Sequence, residues 1–228
     1  MTSFYNRQHR KTRKDSLAEK LFDLPRLYRL KIDFVTAFAK CLRPIVYRYP
    51  VNVADEFIQN TPPSSLVFEI GSGEGYVYSL FKSHGLSLGS FTGSDISEKM
   101  VDYCRSKYPE CQWLHLTQLP YPLKNDSFDV VIICGVLHHL NDMDTLRELV
   151  MEAVRVGGMV LLYEPLQSSN LFLKAIKRVY WKITDGGKYY LTLEEYHRLF
   201  ESAGAKVIWE KYTVPLHQVY FAKLSKAA

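Results

Sequence analysis

Several things are missing from this 228-residue chain. It has four cysteines, Cys41, Cys104, Cys111 and Cys134, with no CxxC pair and no metal-ligand spacing. That argues against a structural metal and for free thiols in a reducing, cytoplasmic setting. No run approaches the eighteen or so consecutive apolar residues of a membrane span. The opening stretch "MTSFYNRQHRKTRKD" lacks an apolar core, so no secretory signal is read there. Internal repeats are absent, and so is the G-x-G-x-x-G fingerprint of a pyrophosphate-binding turn. What is present is a hydrophobic content of 47%, enough for a full core and against global disorder.

Charge is unevenly spread. Residues 1–50 hold twelve Lys/Arg against four Asp/Glu, while the whole chain nets only +5. The remainder is therefore slightly acidic, and the basic character belongs to the N-terminal segment. An anionic partner (nucleic acid, a phosphorylated substrate, an acidic protein) or simply a solvated helix face would account for it. Within that segment Leu17, Leu21, Leu24, Leu27, Ile32, Val35, Phe38 and Leu42 recur near a 3.6 period, broken by Pro25 and Pro44. Two or three basic, aromatic helices are expected, ending at the loop "NTPPSS" (60–65). We take 1–63 as one segment and 64–228 as the main domain.

Beyond residue 64 the chain alternates. "LVFEI" (66–70), "SFTGSDI" (90–96), "FDVVIICG" (128–135) and "GGMVLLYE" (157–164) read as strands, the third apolar throughout as in a strand buried on both faces. Helices are expected at 75–84, 97–107 and 143–155. "TLEEYHRLFESAG" (192–204) opens on a Thr-x-x-Glu capping box. "AKVIWEKYTV" and "HQVYFAKL" follow with no helix between them, which predicts an antiparallel hairpin at the sheet edge. Strand–helix alternation of this kind is α/β, with a doubly wound, mostly parallel sheet.

In such a sheet ligands sit outside the carboxyl ends of the strands. The first such end is "VFEIGSGEG" (67–75), where Gly71, Gly73 and Gly75 are evenly spaced behind Glu69. Asp95 ends the next strand, placed to accept hydrogen bonds from both hydroxyls of a ribose. An acid beside the loop repels a pyrophosphate but suits a cationic ligand. Together with "GSDISEKMVDYCR", "LPYPLKNDSFDVVIICGVLHHL" and "RVGGMVLLYEP", this loop resembles the class I S-adenosylmethionine-dependent methyltransferases, most closely those that modify small molecules. The resemblance covers about 64–165 well and the rest to 225 loosely.

It implies a seven-stranded Rossmann-like sheet with an antiparallel last strand, and S-adenosyl-L-methionine as cofactor. Gly71, Ser72, Gly73 and Gly75 match the loop under its methionine and ribose. Glu69 matches the acid that reaches its amino group, Asp95 the ribose acid, and Ile96 the apolar neighbour of the adenine. His115 stands where the family usually has an acid for the adenine amine, and the Leu116 N–H is expected to meet the adenine ring. Cys134 and Gly135 fall on the methionine side. His138 or His139, with Glu164 on the neighbouring strand, is the candidate base and orienting carboxylate. No Asn/Asp-Pro-Pro-aromatic motif and no Pro-Cys dipeptide occur near 134–137, which points to a small-molecule acceptor methylated on O, N or C. Residues 1–63 and the basic, aromatic insertion 166–190 are read as a lid, suited to an apolar or aromatic acceptor carrying an acidic group. An RNA (tRNA) methyltransferase, or a non-methylating protein of the same fold, remains the alternative. A monomer or homodimer with no membrane span is expected.

Overall fold

The computed structural model describes residues 53–168, 187–212 and 219–227, with Leu30, Asn170, Phe172 and Lys174. The N-terminal helices expected before residue 50 and most of the expected lid insertion lie outside the described residues.

Seven strands form one sheet in the order β3-β2-β1-β4-β5-β7-β6. They are β1 (Leu66–Ile70), β2 (Ser90–Asp95), β3 (Gln112–His115), β4 (Phe128–Cys134), β5 (Gly157–Pro165), β6 (Ala205–Tyr212) and β7 (Val219–Lys226). β1 to β5 run parallel, and β7 is antiparallel to both β5 and β6. The terminal hairpin is at the edge, as its missing crossover helix requires, but β7 lies inside it and β6 outside.

Helices α1 (Val53–Asn60), α2 (Tyr76–Ser83), α3 (Glu98–Lys107), α4 (Met143–Val156) and α5 (Leu193–Ser202) cover both faces. Alternation along β4 divides the core. Val131 and Ile133 join Phe68, Leu146, Leu149, Val150, Leu199 and Phe200 on one face. Val130 and Ile132 join Phe57, Val77, Phe81, Val101 and Phe221 on the other. A strand buried on both sides has no polar face, which is why 128–135 reads as a continuous apolar run.

Side-chain caps set where the helices begin. Ser97 accepts from Met100 N at the start of α3, and Asp142 from Thr145 N at the start of α4. Thr192 and Glu195 form the reciprocal capping box at α5. Gly93, in the middle of β2, is a packing device: a Cβ there would lie 2.2 Å from the Trp113 ring. The missing side chain admits the indole between β2 and β3. Two elements were not read from the sequence, α1 and the four-residue β3, whose only fully buried side chain is Trp113. Among the described residues no helix is long and apolar enough to cross a membrane.

Candidate active site

β1 delivers the chain into the glycine loop. Gly71 has φ 72° and Gly73 φ 51°, a region that side chains bearing Cβ rarely adopt. Their surroundings differ. A Cβ on Gly71 would come 2.5 Å from Val136 Cγ2, whereas one on Gly73 meets nothing within 4 Å. Gly71 therefore packs the loop against the chain beyond β4, and Gly73 fronts open space.

Asp95, at the end of β2, ties this loop down. Its Oδ2 accepts from Gly73 N at 2.8 Å and its Oδ1 from Ser97 N at 2.9 Å. Ser72 N donates to Ser94 O at 2.8 Å. Glu69 lies beneath, 2% exposed, and its Oε2 has no hydrogen-bond partner among the described residues. Burial pushes its carboxyl up to about 8; Ser72 partly offsets this, and the Asp95 charge adds to it.

On the adenine side the expected residues have partners within the protein. The Leu116 N–H donates to Asp95 O at 3.1 Å, continuing the β2–β3 ladder, so it is already engaged. His115 Nε2 donates to Ile96 O at 3.0 Å from an exposed position. Its Nδ1 is thus the nitrogen left to accept. Ile96 itself is half-buried and packs on the core.

At the ends of β4 and β5 the arrangement is different. Gly135 N donates to Tyr163 O at 2.8 Å, and a 3-10 turn (Leu137–His139) follows. Glu164, fully buried on β5, closes that turn. Its Oε1 accepts from Val136 N at 2.6 Å and Leu137 N at 2.7 Å, and its Oε2 from His138 Nδ1 at 2.7 Å. A carboxylate can only accept, so His138 Nδ1 carries the proton and Nε2 of the neutral ring is the basic atom. Cys134 sits beside them, its thiol held neutral by burial, which raises its pKa well above the usual value.

His138 is 3% exposed. One face of its ring meets His139, with centroids 4.0 Å apart, and Tyr190 stacks on it at 5.5 Å. Its carbonyl accepts from both Lys188 N (2.7 Å) and Tyr189 N (2.9 Å). A Cβ on Gly187 would lie 2.6 Å from His138 Cδ2 and 2.3 Å from the Tyr190 hydroxyl. Residues 187–190 form a strap across His138, closed on its far side by Gln167 N to Leu191 O at 2.8 Å. The sequence reading places 166–190 in a lid without singling out this strap; two glycines, a lysine and two tyrosines (186–190) are the available signal of close approach. Among the described residues no group of His, Cys, Asp and Glu could hold a metal ion.

The sheet has the Rossmann-like topology of solved S-adenosylmethionine-dependent methyltransferases. Residues 68–162 match the family model described as "Methyltransferase domain". A probable tRNA methyltransferase 9B from mouse is 30% identical over 112 residues, covering 47% of this chain and 23% of the relative. A demethylmenaquinone methyltransferase from Bacillus licheniformis is 23% identical over 173 residues, 65% of this chain and 74% of the relative. The chain spans only about a quarter of the length of the first of these. A solved S-adenosylmethionine-dependent methyltransferase from Methanosarcina mazei superposes with a TM-score of 0.63 at 16% identity, covering 80% of this chain and 99% of that one. That likeness shows the fold.

The residues present fit the family's cofactor, S-adenosylmethionine. A buried carboxylate oxygen without a partner suits its ammonium, and the open space at Gly73 allows close approach of a ligand. Asp95 retains acceptor capacity, since two oxygens offer about four lone-pair sites.

Proposed function

We propose that this chain transfers a methyl group from S-adenosylmethionine to oxygen, nitrogen or carbon of a small-molecule acceptor. The observation that carries the reading is the Glu69 oxygen, without a hydrogen-bond partner among the described residues, beneath a glycine loop tied to Asp95, with His138 one strand away and Glu164 two. The cofactor supplies an activated methyl on a sulfonium, so the protein's work is positioning, exclusion of water and removal of a proton. Glu69 holds the ammonium, Asp95 the ribose hydroxyls, and Ile96 one face of the adenine. His138 Nε2 takes the proton of a hydroxyl or amine acceptor, with Nδ1–H fixed on Glu164. Because the strap buries His138, the acceptor must be enclosed with it, which favours a small molecule over a base on a polymer. The free thiols of Cys104, Cys111 and Cys134 fit a reducing, cytoplasmic compartment.

A second reading, a tRNA acceptor, is favoured by the likeness to the mouse probable tRNA methyltransferase and by the basic residues 1–50. Label transfer from methyl-labelled S-adenosylmethionine into a deproteinised small-molecule extract, against bulk tRNA, separates them. Small-molecule label is expected. Label in tRNA alone, falling steeply with salt, would replace the first reading by the second. With the acceptor in hand, His138→Ala should lower turnover about 100-fold while the affinity for S-adenosylhomocysteine stays within about twofold. A loss below threefold would assign the histidine to the scaffold.

A further inference from the structure

Glu69 presents a chemical problem that the cofactor contact alone does not solve. Its carboxyl is almost wholly buried, and among the described residues one oxygen has no hydrogen-bond partner and the ionisable groups interacting with it are acids and thiols. From the loop come Ser72 and, beyond it, Glu74; from β2, Asp95; from α3, Cys104; from β4, Cys134 with Glu164 behind it. Among the described residues no cation pairs with it. Both thiols are kept neutral by burial. A negative charge at this position would face Asp95 and lack both water and a counter-ion, a costly arrangement.

We propose that Glu69 selects ligands bearing an α-ammonium by proton exchange: it stands as the neutral acid until the ammonium arrives, then releases its proton to solvent and pairs as the carboxylate. The balance is simple. The ligand keeps its R–NH3+, the Glu69 O–H bond breaks, the carboxylate retains the electron pair, and one proton passes to the buffer. The inference rests on the reading that this site takes S-adenosylmethionine, and it goes further in tying cofactor affinity to pH. Below the acid's midpoint of about 8, binding must expel a proton, so affinity rises as pH rises. It also makes Glu69 a filter, since a nucleoside thioether without the amino-acid portion offers nothing in exchange for the proton.

Calorimetry on the full chain tests this without any acceptor. S-adenosylhomocysteine, which carries the ammonium but no sulfonium, is titrated at pH 7 in two buffers of different ionisation enthalpy, and again at pH 6. The expected result is release of about one proton at pH 7 and an affinity about tenfold weaker at pH 6. Glu69→Gln, an uncharged isostere of the neutral acid, should fold, bind without proton release and show the same affinity at both pH values. Methylthioadenosine should bind without proton release even to the unaltered protein. Binding of S-adenosylhomocysteine with no proton released and no pH dependence overturns the exchange while leaving the cofactor assignment standing. Proton release that persists in Glu69→Gln, or that accompanies methylthioadenosine, overturns it too. Failure of S-adenosylhomocysteine to bind at any pH overturns both the exchange and the reading of the site.

Discussion

The two halves of the strand-end cleft solve opposite problems. At β1 and β2 the protein leaves polar capacity open: among the described residues Glu69 Oε2 has no hydrogen-bond partner and nothing lies within 4 Å of a Cβ at Gly73. At β4 and β5 the carboxylate is used internally, with Glu164 accepting from three backbone N–H groups and one imidazole N–H, and the His138 carbonyl accepting twice. An open, desolvated acceptor costs stability and is repaid only on binding, whereas a saturated one stabilises the fold by itself. The first half is therefore built for a ligand that arrives. The second is a rigid mount holding one side chain and one strap. Perturbing the second half should damage the protein; perturbing the first should damage binding.

The largest effect is expected at Glu164. Glu164→Ala strands the N–H groups of Val136 and Leu137 and the Nδ1–H of His138 in a buried place. Each orphaned donor costs about 1–3 kcal/mol, and a combined loss of about 3–5 kcal/mol is expected in urea unfolding. Glu164→Gln should cost less, because its carbonyl oxygen can still cap the turn, though its amide faces the His138 Nδ1–H with a donor. A loss under 1 kcal/mol for the alanine variant would erase the contrast between the halves.

Next comes Asp95. Asp95→Ala removes the tie to Gly73 N and Ser97 N together with the proposed ribose acceptor. Affinity for S-adenosylhomocysteine should fall by about 1.5–3 kcal/mol, the range for hydrogen bonds to a charged group. Unchanged affinity in calorimetry would confine Asp95 to loop architecture.

A pH effect on the ligand-free protein follows in size. Glu69 is raised from 4.5 to about 8 by burial, with Asp95 adding and Ser72 opposing. A raised carboxyl contributes stability that is fully present below the unfolded value and is lost as pH rises through the folded one. Between those limits the native state holds a proton that the unfolded chain has released. Stability should therefore fall by roughly 1 kcal/mol per pH unit from about pH 5 to 8, then level off. Glu69→Gln should be flatter over the same window. Parallel profiles for the two proteins, from urea midpoints at pH 6 and 7.5, would remove the charge burden assigned to this residue.

Much of this contrast was legible in the sequence on one side only. The glycine loop, Glu69 and Asp95 are contiguous in short strand-end segments whose apolar runs identify β1, β2, β4 and β5. The His138–Glu164 pairing follows once β4 and β5 are adjacent, and the structure brings the two together. What was hidden depends on long-range backbone contacts. Glu164 caps a turn on the neighbouring strand, and Lys188 and Tyr189 reach a carbonyl about fifty residues earlier; neither leaves a local pattern. β3 was missed because four residues with one buried ring carry too little alternation. Nothing in "HLTQLP" announces that the Leu116 N–H continues the β2 ladder by donating to Asp95 O.

The smallest stability effect is expected at Gly73, and it sharpens the comparison most. An alanine there must hold φ near 51°, which costs about 1 kcal/mol for a residue with a Cβ. It meets no atom within 4 Å, so no packing penalty is added. Gly71→Ala carries the same backbone strain and also drives its Cβ to 2.5 Å from Val136, adding about 1–3 kcal/mol of overpacking. If the space before Gly73 belongs to the cofactor, Gly73→Ala should unfold almost as the natural protein does yet lose at least tenfold in affinity for S-adenosylhomocysteine. Gly71→Ala should lose stability first. Equal affinity for Gly73→Ala and the natural protein would mean that no ligand approaches this backbone, and that the open half of the cleft is open for some other reason.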